Sequence, residues 1–97
     1  MVYKLTLLDG TLEDLDIAYN WYHQIHIELA NELVFRFKNA LSQIEYNPFL
    51  SQNLSSGFRK VNLYRFPYKL IFEIRETEII VVALAHHKRK AGYWKNR

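Results

Sequence analysis

Two adjacent histidines end a strongly apolar stretch near the C-terminus, and three cations follow them directly. The run is His86-His87-Lys88-Arg89-Lys90. Histidine is the side chain best suited to proton exchange near neutral pH, and arginine can bind a phosphate or a carboxylate through two parallel hydrogen bonds. Successive side chains of a strand point to opposite faces, so His86 and His87 cannot both face one site while the strand stays extended. The alternative is a basic strand end beside a satisfied core histidine.

A second group of aromatic and basic residues lies at the end of the chain. Tyr93 and Trp94 stand among five cations: Lys88, Arg89, Lys90, Lys95 and Arg97. Aromatic rings interleaved with cations can stack on bases and bind phosphates. They can equally fold the tail back onto a sheet, and we expect Trp94 to pack and Tyr93 to be more accessible.

The charges are divided unevenly between the two parts of the chain. The formal net charge is +3. Residues 1–58 carry three basic residues against seven acidic ones, or −4, whereas residues 59–97 carry ten against three, or +7. This asymmetry suggests an anionic partner for the C-terminal part, although a solubilising surface charge explains it equally well.

The spacing of apolar residues predicts two consecutive helices. The first is expected over about residues 12–24, after a turn at Asp9-Gly10 and with Thr11 as its N-cap. The break before the second helix is expected in the region 23–27. The second helix should end at Asn47-Pro48, because the residue before a proline disfavours helical backbone.

Strands are predicted on both sides of this helix pair. A first strand is expected at residues 3–8, and after a polar loop at 51–57 three more follow at 58–64, 68–75 and 78–86. The order strand, helix, helix, three strands predicts an α+β fold in a single domain spanning residues 1–97.

Two helices can cover only one face of such a sheet. The residues expected to face them are Val61, Leu63, Tyr68, Leu70, Phe72 and Ile74. The opposite face would carry Lys60, Asn62, Lys69, Glu73 and Arg75. The strand alternation therefore predicts an uncovered, cationic sheet face that could receive an anionic molecule.

Several classes of protein are excluded by composition. The chain has no cysteine, which excludes disulfides and thiolate metal sites and fits a reducing cytoplasm. No apolar stretch approaches the roughly 18 residues of a membrane helix, and the N-terminal residues do not resemble a signal peptide. His23 and His26 lack further ligands nearby, so we expect no metal site. Trp21-Tyr22 is expected to pack between the helices.

Taken together, a series of short motifs resembles a known family. They are Asp14-Leu15-Asp16, Trp21-Tyr22, Phe37, Asn47-Pro48, Arg59, Arg65-Phe66-Pro67-Tyr68, His86-x-x-Arg89 and Tyr93-Trp94. In this order and spacing they resemble the RelE/ParE superfamily, the toxins of bacterial type II toxin–antitoxin systems. The similarity spans essentially the whole chain and is greatest to the ParE-like, plasmid-stabilisation branch. Ala91-Gly92 stands where that branch often has a proline.

The resemblance implies a twisted, mainly antiparallel sheet with a helical hairpin on one face. It also implies a cytoplasmic protein without cofactor or metal, and without membrane association. The implied partner is a cognate antitoxin whose acidic or amphipathic C-terminal segment wraps the toxin, as a dimer or a heterotetramer. The positive charge of residues 59–97 suits such wrapping.

The superfamily has two activities, and the resemblance implies different residues for each. RelE-like toxins cleave messenger RNA on the ribosome, which needs a base, an acid and cations around the phosphate. By similarity, the residues that would serve are Lys60, Lys69, Arg89 and Tyr93, and either His86 or His87 could supply proton transfer. Asn62, however, stands where those enzymes carry a second lysine.

ParE-like toxins instead inhibit DNA gyrase, and the missing lysine favours this hypothesis over ribosome-dependent cleavage. Contacts with a target or an antitoxin are expected from Arg59, Arg65, Arg75, His87, Lys88, Lys90 and Trp94. A third hypothesis is an inactive member of the family that serves only as a binding module.

Overall fold

Five strands form one sheet, and two long helices lie between the first strand and the second. In the computed structural model, which describes residues 3–97, the strands are β1 (Lys4–Leu7), β2 (Gln52–Asn53), β3 (Arg59–Asn62), β4 (Tyr68–Arg75) and β5 (Glu78–His86). The helices are α1 (Asp9–Ile25) and α2 (Ile27–Tyr46). Met1 and Val2, part of the stretch examined for a signal peptide, lie outside the described residues. Neither helix is long and apolar enough to cross a membrane.

The strand order across the sheet is β1-β5-β4-β3-β2. β1 runs parallel to β5, and every other neighbouring pair is antiparallel. The prediction of an α+β fold with a mainly antiparallel sheet is confirmed. β2 lies inside the segment predicted as a loop, and its two residues, Gln52 and Asn53, are both polar and exposed. Such a short polar strand leaves no alternating pattern in the sequence.

The start of the first helix differs from the prediction. α1 already begins at Asp9, so the predicted turn at Asp9-Gly10 and the N-cap role of Thr11 are wrong. Thr11 is fully buried, and its hydroxyl donates to the backbone carbonyl of Val81 at 2.9 Å. This long-range contact makes the threonine part of the junction between α1 and β5.

The break between the helices falls at His26, within the predicted region. The backbone of His26 is extended, and its Nδ1 accepts a hydrogen bond from the N–H of Glu28 at 3.2 Å. His26 thereby satisfies one of the donors that the first turn of a helix leaves unpaired. α2 ends at Tyr46, directly before Asn47-Pro48, as predicted.

The main core lies between the helices and one face of the sheet. All six residues predicted to face the helices belong to it: Val61, Leu63, Tyr68, Leu70, Phe72 and Ile74. Leu70 and Phe72 have no exposed surface, like Leu33 of α2. Each side chain of this size contributes about 1.5–3 kcal/mol when it is fully buried. This packing fixes which side chains of β3, β4 and β5 point away from the helices.

The tryptophan on the first helix is not part of the helix–helix seam. Trp21 is 61% exposed, so the prediction that it packs there is wrong. Its neighbour Tyr22 is half-buried and meets Phe66 edge-to-face, with ring centroids 5.2 Å apart. Tyr22 takes the inward position on α1, which leaves the adjacent residue pointing outward.

The far face of the sheet is only partly open, which corrects the prediction of an uncovered face. A second buried cluster consists of Ile71, Val82, Ala83, Ala85 and Trp94. A register shift beside Ile71 pairs that residue with Ala83 but pairs Phe72 with Val81. A bulge of this kind lets Val82 and Ala83 both face the far side. The C-terminal tail covers this apolar part of the sheet through Trp94.

Candidate functional site

Four polar side chains occupy the part of the far face that the tail leaves open. We call Lys60, Asn62, Lys69 and His87 the cationic platform. The register pairs Lys60 with the buried Ile71 and pairs Asn62 with Lys69. Because paired residues share a face and strand side chains alternate, both lysines point away from the helices. The strand alternation alone predicts this arrangement.

His87 is the histidine of the cationic platform. Its backbone N–H donates to the carbonyl of Pro67 at 2.9 Å, which holds it next to the start of β4. Although the side chain is mostly exposed, partial desolvation lowers the pKa of His87, and the charges of Lys69, His86 and Lys60 lower it further. His87 is therefore neutral at pH 7.

His86 lies on the opposite face of the sheet. It pairs with Tyr68 across β4 and β5, and the two rings meet edge-to-face with centroids 5.0 Å apart. Its Nδ1 accepts a hydrogen bond from the N–H of Lys88 at 3.0 Å, so the neutral ring carries its proton on Nε2. With Asp14 and Arg89 it lines a cavity of about 140 Å³ beside α1.

Tyr93 lies at the edge of β5 that faces α1. Its hydroxyl is 3.1 Å from Asp14 Oδ2 and 3.4 Å from the carbonyl oxygen of Leu84. Burial, followed by the charge of the Asp14 carboxylate, raises the pKa of Tyr93 to about 12. The guanidinium carbon of Arg89 lies 3.8 Å from the centre of the ring. The hydroxyl is thus bound within the protein and retains its proton at neutral pH.

Asp14 and Arg97 form a partly buried ion pair that was not predicted from the sequence. Arg97 Nη1 lies 2.7 Å from Asp14 Oδ2, and Nη2 lies 3.1 Å from Oδ1. Asp14 Oδ2 also accepts the N–H of Leu84 at 3.1 Å, and Arg97 Nη1 donates to the carbonyl of Val82 at 3.0 Å. The hydrogen bonding of Arg97 to the Asp14 carboxylate is the main cause of the raised pKa of Arg97. We call Asp14, Tyr93 and Arg97 the edge cluster.

One sequence signal could have located this cluster. Thr11, Asp14 and Ala18 are spaced three and four apart and are all buried, so they share the inward face of α1. A carboxylate on a buried helix face needs a cation or several donors as partners. The excess of cations after residue 86 is the obvious source.

The three arginines predicted to bind a target or antitoxin each contact other groups of the chain. Arg59 donates to a loop carbonyl at 3.3 Å. Arg65 pairs with Glu32 at 3.0 Å, and Arg75 pairs with Glu73 at 2.6 Å. The side chains of Arg65 and Arg75 remain 58% and 67% exposed, so these pairs are weak and exchangeable.

The other residues predicted to bind lie after β5. Lys88 and Lys90 are exposed, whereas Trp94 is 5% exposed and packs in the far-face cluster. The indole therefore cannot stack on an external base while the tail holds this position. As expected, Trp94 packs and Tyr93 is more accessible.

The structure divides the five residues predicted for catalysis between two places. Lys60 and Lys69 belong to the cationic platform, whereas His86, Arg89 and Tyr93 lie at the edge of β5 beside α1. The platform offers two ammonium groups, an amide and one imidazole. It can attract an anion, and its imidazole can accept a proton.

An exposed apolar row runs along α1 beside the His86 cavity. Ile17, Trp21 and Ile25 are four residues apart and are 68%, 61% and 59% exposed. Ile17 also lines the cavity that contains His86 and Arg89. Contiguous exposed apolar side chains usually mark a contact with another molecule. This row is therefore a candidate contact surface next to the cationic end of β5.

Comparison with known proteins gives one family. The sequence model described as "ParE toxin of type II toxin-antitoxin system, parDE" matches residues 5–91. No curated protein matches the sequence. Among solved structures, a chain of the chromosomal ParDE TA system from P. aeruginosa has a TM-score of 0.78 and 19% identity, with 88% of this chain and 96% of that chain covered.

Two further structures share the fold at lower similarity. The YoeB dimer from Staphylococcus aureus has a TM-score of 0.59 and 16% identity, covering 90% of this chain and 99% of that chain. A mutant of the E. coli toxin RelE in the free state has a TM-score of 0.60 and 14% identity, covering 91% and 86%. The family match over residues 5–91 agrees with the fold, and the chain belongs to the ParE toxins of type II toxin–antitoxin systems.

Proposed function

We propose that the chain arrests bacterial growth by binding DNA gyrase and that a cognate antitoxin neutralises it. The observation that favours a binding mechanism is the separation of the predicted catalytic residues. Lys60 and Lys69 lie on the cationic platform, whereas the Tyr93 hydroxyl is bound to Asp14 at the edge of β5 beside α1. An inhibitor that acts by binding needs a complementary surface but no acid and base around one phosphate.

The exposed row on α1 supports contact with a protein target. Ile17, Trp21 and Ile25 supply apolar area, and Arg89 lies beside them as a cation. Protein interfaces are enriched in tryptophan and arginine, which often carry most of the binding energy. We therefore assign this row to the contact with gyrase, in the cytoplasm.

The antitoxin is proposed to cover the cationic part of the chain. Residues 59–97 carry a charge of +7, and the exposed cations Arg75, Lys88 and Lys90 are available to carboxylates. Charge complementarity of this kind accelerates association and selects the partner. The similarity to a chain of a ParDE system makes a toxin–antitoxin complex, either a dimer or a heterotetramer, the expected assembly.

Ribosome-dependent cleavage of messenger RNA is the second candidate, and one observation favours it. His87 lies beside Lys60 and Lys69, and its lowered pKa leaves it able to accept a proton at neutral pH. Asn62, which cannot transfer a proton, occupies the remaining position of the platform. An inactive member of the family would keep the same surfaces without harming the cell.

Purified chain added to a gyrase supercoiling reaction tests the first candidate. We expect wild-type chain to block supercoiling of relaxed plasmid and Trp21→Ala to relieve the block. Leu29→Ala is the matched control, because Leu29 is 36% exposed and lies on α2. Full supercoiling activity at a large molar excess of folded wild-type chain would contradict a gyrase inhibitor.

Co-expression with the adjacent small gene tests neutralisation. We expect the two products to co-purify and growth to recover. Simultaneous replacement of Lys88 and Lys90 by glutamate should weaken the complex, whereas the same change at Lys38, an exposed lysine of α2, should not. A chain that stays free beside the product of its neighbouring gene would refute the proposed pair.

A further inference from the structure

The C-terminal tail and the far face of the sheet enclose a cavity of about 280 Å³. Its floor is apolar and includes Ile80, Val82 and the indole of Trp94. Its rim is charged and includes Glu73, Arg75 and Lys95. None of its lining residues belongs to the cationic platform, so it is a separate site on the same face of the sheet.

The floor of this cavity contains a hydrogen-bond donor without an acceptor. The Nε1 of Trp94 is buried and has no partner among residues 3–97. The ring is held edge-to-face by Phe58 and Tyr93, with centroids 6.3 and 5.4 Å away. An unpaired buried donor is unfavourable, so a ligand that supplies an acceptor recovers free energy.

The charges on the rim define which acceptor fits best. Arg75 is paired with Glu73 at 2.6 Å, and Arg97 is paired with Asp14 through two contacts. Lys95 forms no ion pair within residues 3–97. One uncompensated cation beside a glutamate favours a singly charged anion, because Glu73 repels a second negative charge.

We propose that this cavity binds a carboxylate carried on an apolar group. The apolar group lies against Ile80 and Val82, one carboxylate oxygen accepts the N–H of Trp94, and the carboxylate pairs with Lys95. Because Nε1 is buried, binding includes a shift of the tail that exposes it. A free aromatic acid has this chemistry, and so does a polypeptide in which an acidic residue adjoins an apolar one.

The two tryptophans of the chain make a direct test possible. Each indole N–H gives one nitrogen–proton NMR signal, and Trp21, 61% exposed on α1, serves as an internal reference. Titration of the isotope-labelled full chain with phenylacetate should move the Trp94 signal saturably and leave the Trp21 signal in place. Phenylacetamide, which has the same ring but no charge, should produce no saturable shift.

Variants test the two contacts of the carboxylate. Lys95→Gln should weaken phenylacetate binding by about fivefold, which corresponds to a partly exposed ion pair. Lys90→Gln removes the same charge from an exposed position outside the cavity and should leave binding unchanged. Trp94→Phe keeps an aromatic ring without the N–H, and calorimetry on this variant should show a loss of binding at least as large.

A peptide distinguishes the two sources of the carboxylate. We expect acetyl-Leu-Glu-Leu-Glu-amide to move the Trp94 signal if the natural ligand is a polypeptide, and its Gln-containing analogue to have no effect. Binding of phenylacetate but not of the peptide assigns the cavity to a free acid. The carboxylate site is refuted if neither probe moves the Trp94 signal, if Lys95→Gln binds as tightly as wild type, or if inorganic phosphate binds as well as phenylacetate.

Discussion

Arg97 and Asp14 form a two-point ion pair, with distances of 2.7 and 3.1 Å, although 83 positions separate them in the sequence. The pair lies at the edge of β5, beyond Val81, where β1 no longer pairs with it. Side chains bind the backbone there instead: Asp14 accepts the N–H of Leu84 and Arg97 donates to the carbonyl of Val82. The edge cluster thereby satisfies backbone groups that a neighbouring strand would otherwise bind.

Replacement of Asp14 by asparagine should destabilise the fold. The carboxylate is 5% exposed and accepts hydrogen bonds from Arg97 and from the N–H of Leu84. Removing one partner of such a pair leaves a poorly compensated charge, at a cost of about 2–3 kcal/mol. Urea unfolding measures the loss, and Asp16→Asn on the exposed side of the same helix is the matched control. Equal stabilities of the two variants would show that the ion pair contributes little.

Replacement of Gly10 by alanine should lower the stability of the wild-type chain but raise the stability of the Arg97→Ala variant. A Cβ at Gly10 would lie 2.6 Å from Nε and 2.7 Å from Cζ of Arg97, so the guanidinium must move away from Asp14. In the wild-type chain we expect the free energy of unfolding to fall by about 1 kcal/mol. In the Arg97→Ala background the substitution should stabilise α1 by about 0.5 kcal/mol, because alanine favours helix. Thermal unfolding of the wild type, the two single variants and the double variant measures these changes in stability. Equal changes in both backgrounds would contradict the contact between position 10 and Arg97.

Tyr93→Phe should make stability less sensitive to alkaline pH. The folded protein raises the pKa of Tyr93 from 10.0 to about 12, so folding favours the protonated hydroxyl. This contribution is complete below pH 10 and disappears as the pH rises to about 12. Solvent screening limits the pH-dependent change in the free energy of unfolding that separates wild type from Tyr93→Phe to about 1 kcal/mol. Urea unfolding across this range measures it, with Tyr46→Phe, at an 87% exposed position, as the control. Parallel pH profiles for Tyr93→Phe and wild type would refute the assignment.

His87 should make anion binding by the cationic platform dependent on pH. Its pKa lies below the ordinary 6.5, and a bound anion raises it by stabilising the charged ring. The affinity of the chain for an acidic polypeptide such as polyglutamate should therefore rise as the pH falls through the range between the pKa values of His87 in the bound and the free protein. Calorimetry should find a flatter profile for His87→Gln and an unchanged one for His23→Gln, an exposed histidine of α1. If the affinity of His87→Gln depended on pH as that of the wild type does, the imidazole of His87 would not be the cause of the pH dependence.

The sheet was largely predictable from the sequence, because its signals are local. β4 and β5 have the bounds predicted from the alternation, residues 68–75 and 78–86. The facing of Lys60 and Lys69 follows from the same two-residue period. Trp94 was expected to pack, but the coverage of the far face did not follow, because the place where Trp94 packs depends on how the tail folds back after β5.

The spacing of Asp14 on α1 indicates that it needs a cation, but which cation it binds was not predictable. Asp14 and Arg97 are individually ordinary, an acid near the start of a helix and a terminal cation. Their pairing depends on β1 being too short to cover the edge of β5, and no local pattern encodes that length difference. Thr11 was misassigned for the same cause, because its hydroxyl binds Val81 instead of capping the helix.

The distribution of plasmid topoisomers in cells after induction of the chain without its neighbouring gene tests the proposed mechanism most directly. A toxin that binds gyrase should relax the plasmid as growth stops and should leave transcripts intact. Plasmid relaxation and growth arrest should both be lost in Trp21→Ala but not in Lys69→Ala. Normal supercoiling during growth arrest, with codon-phased transcript ends that vanish in Lys69→Ala, would contradict it.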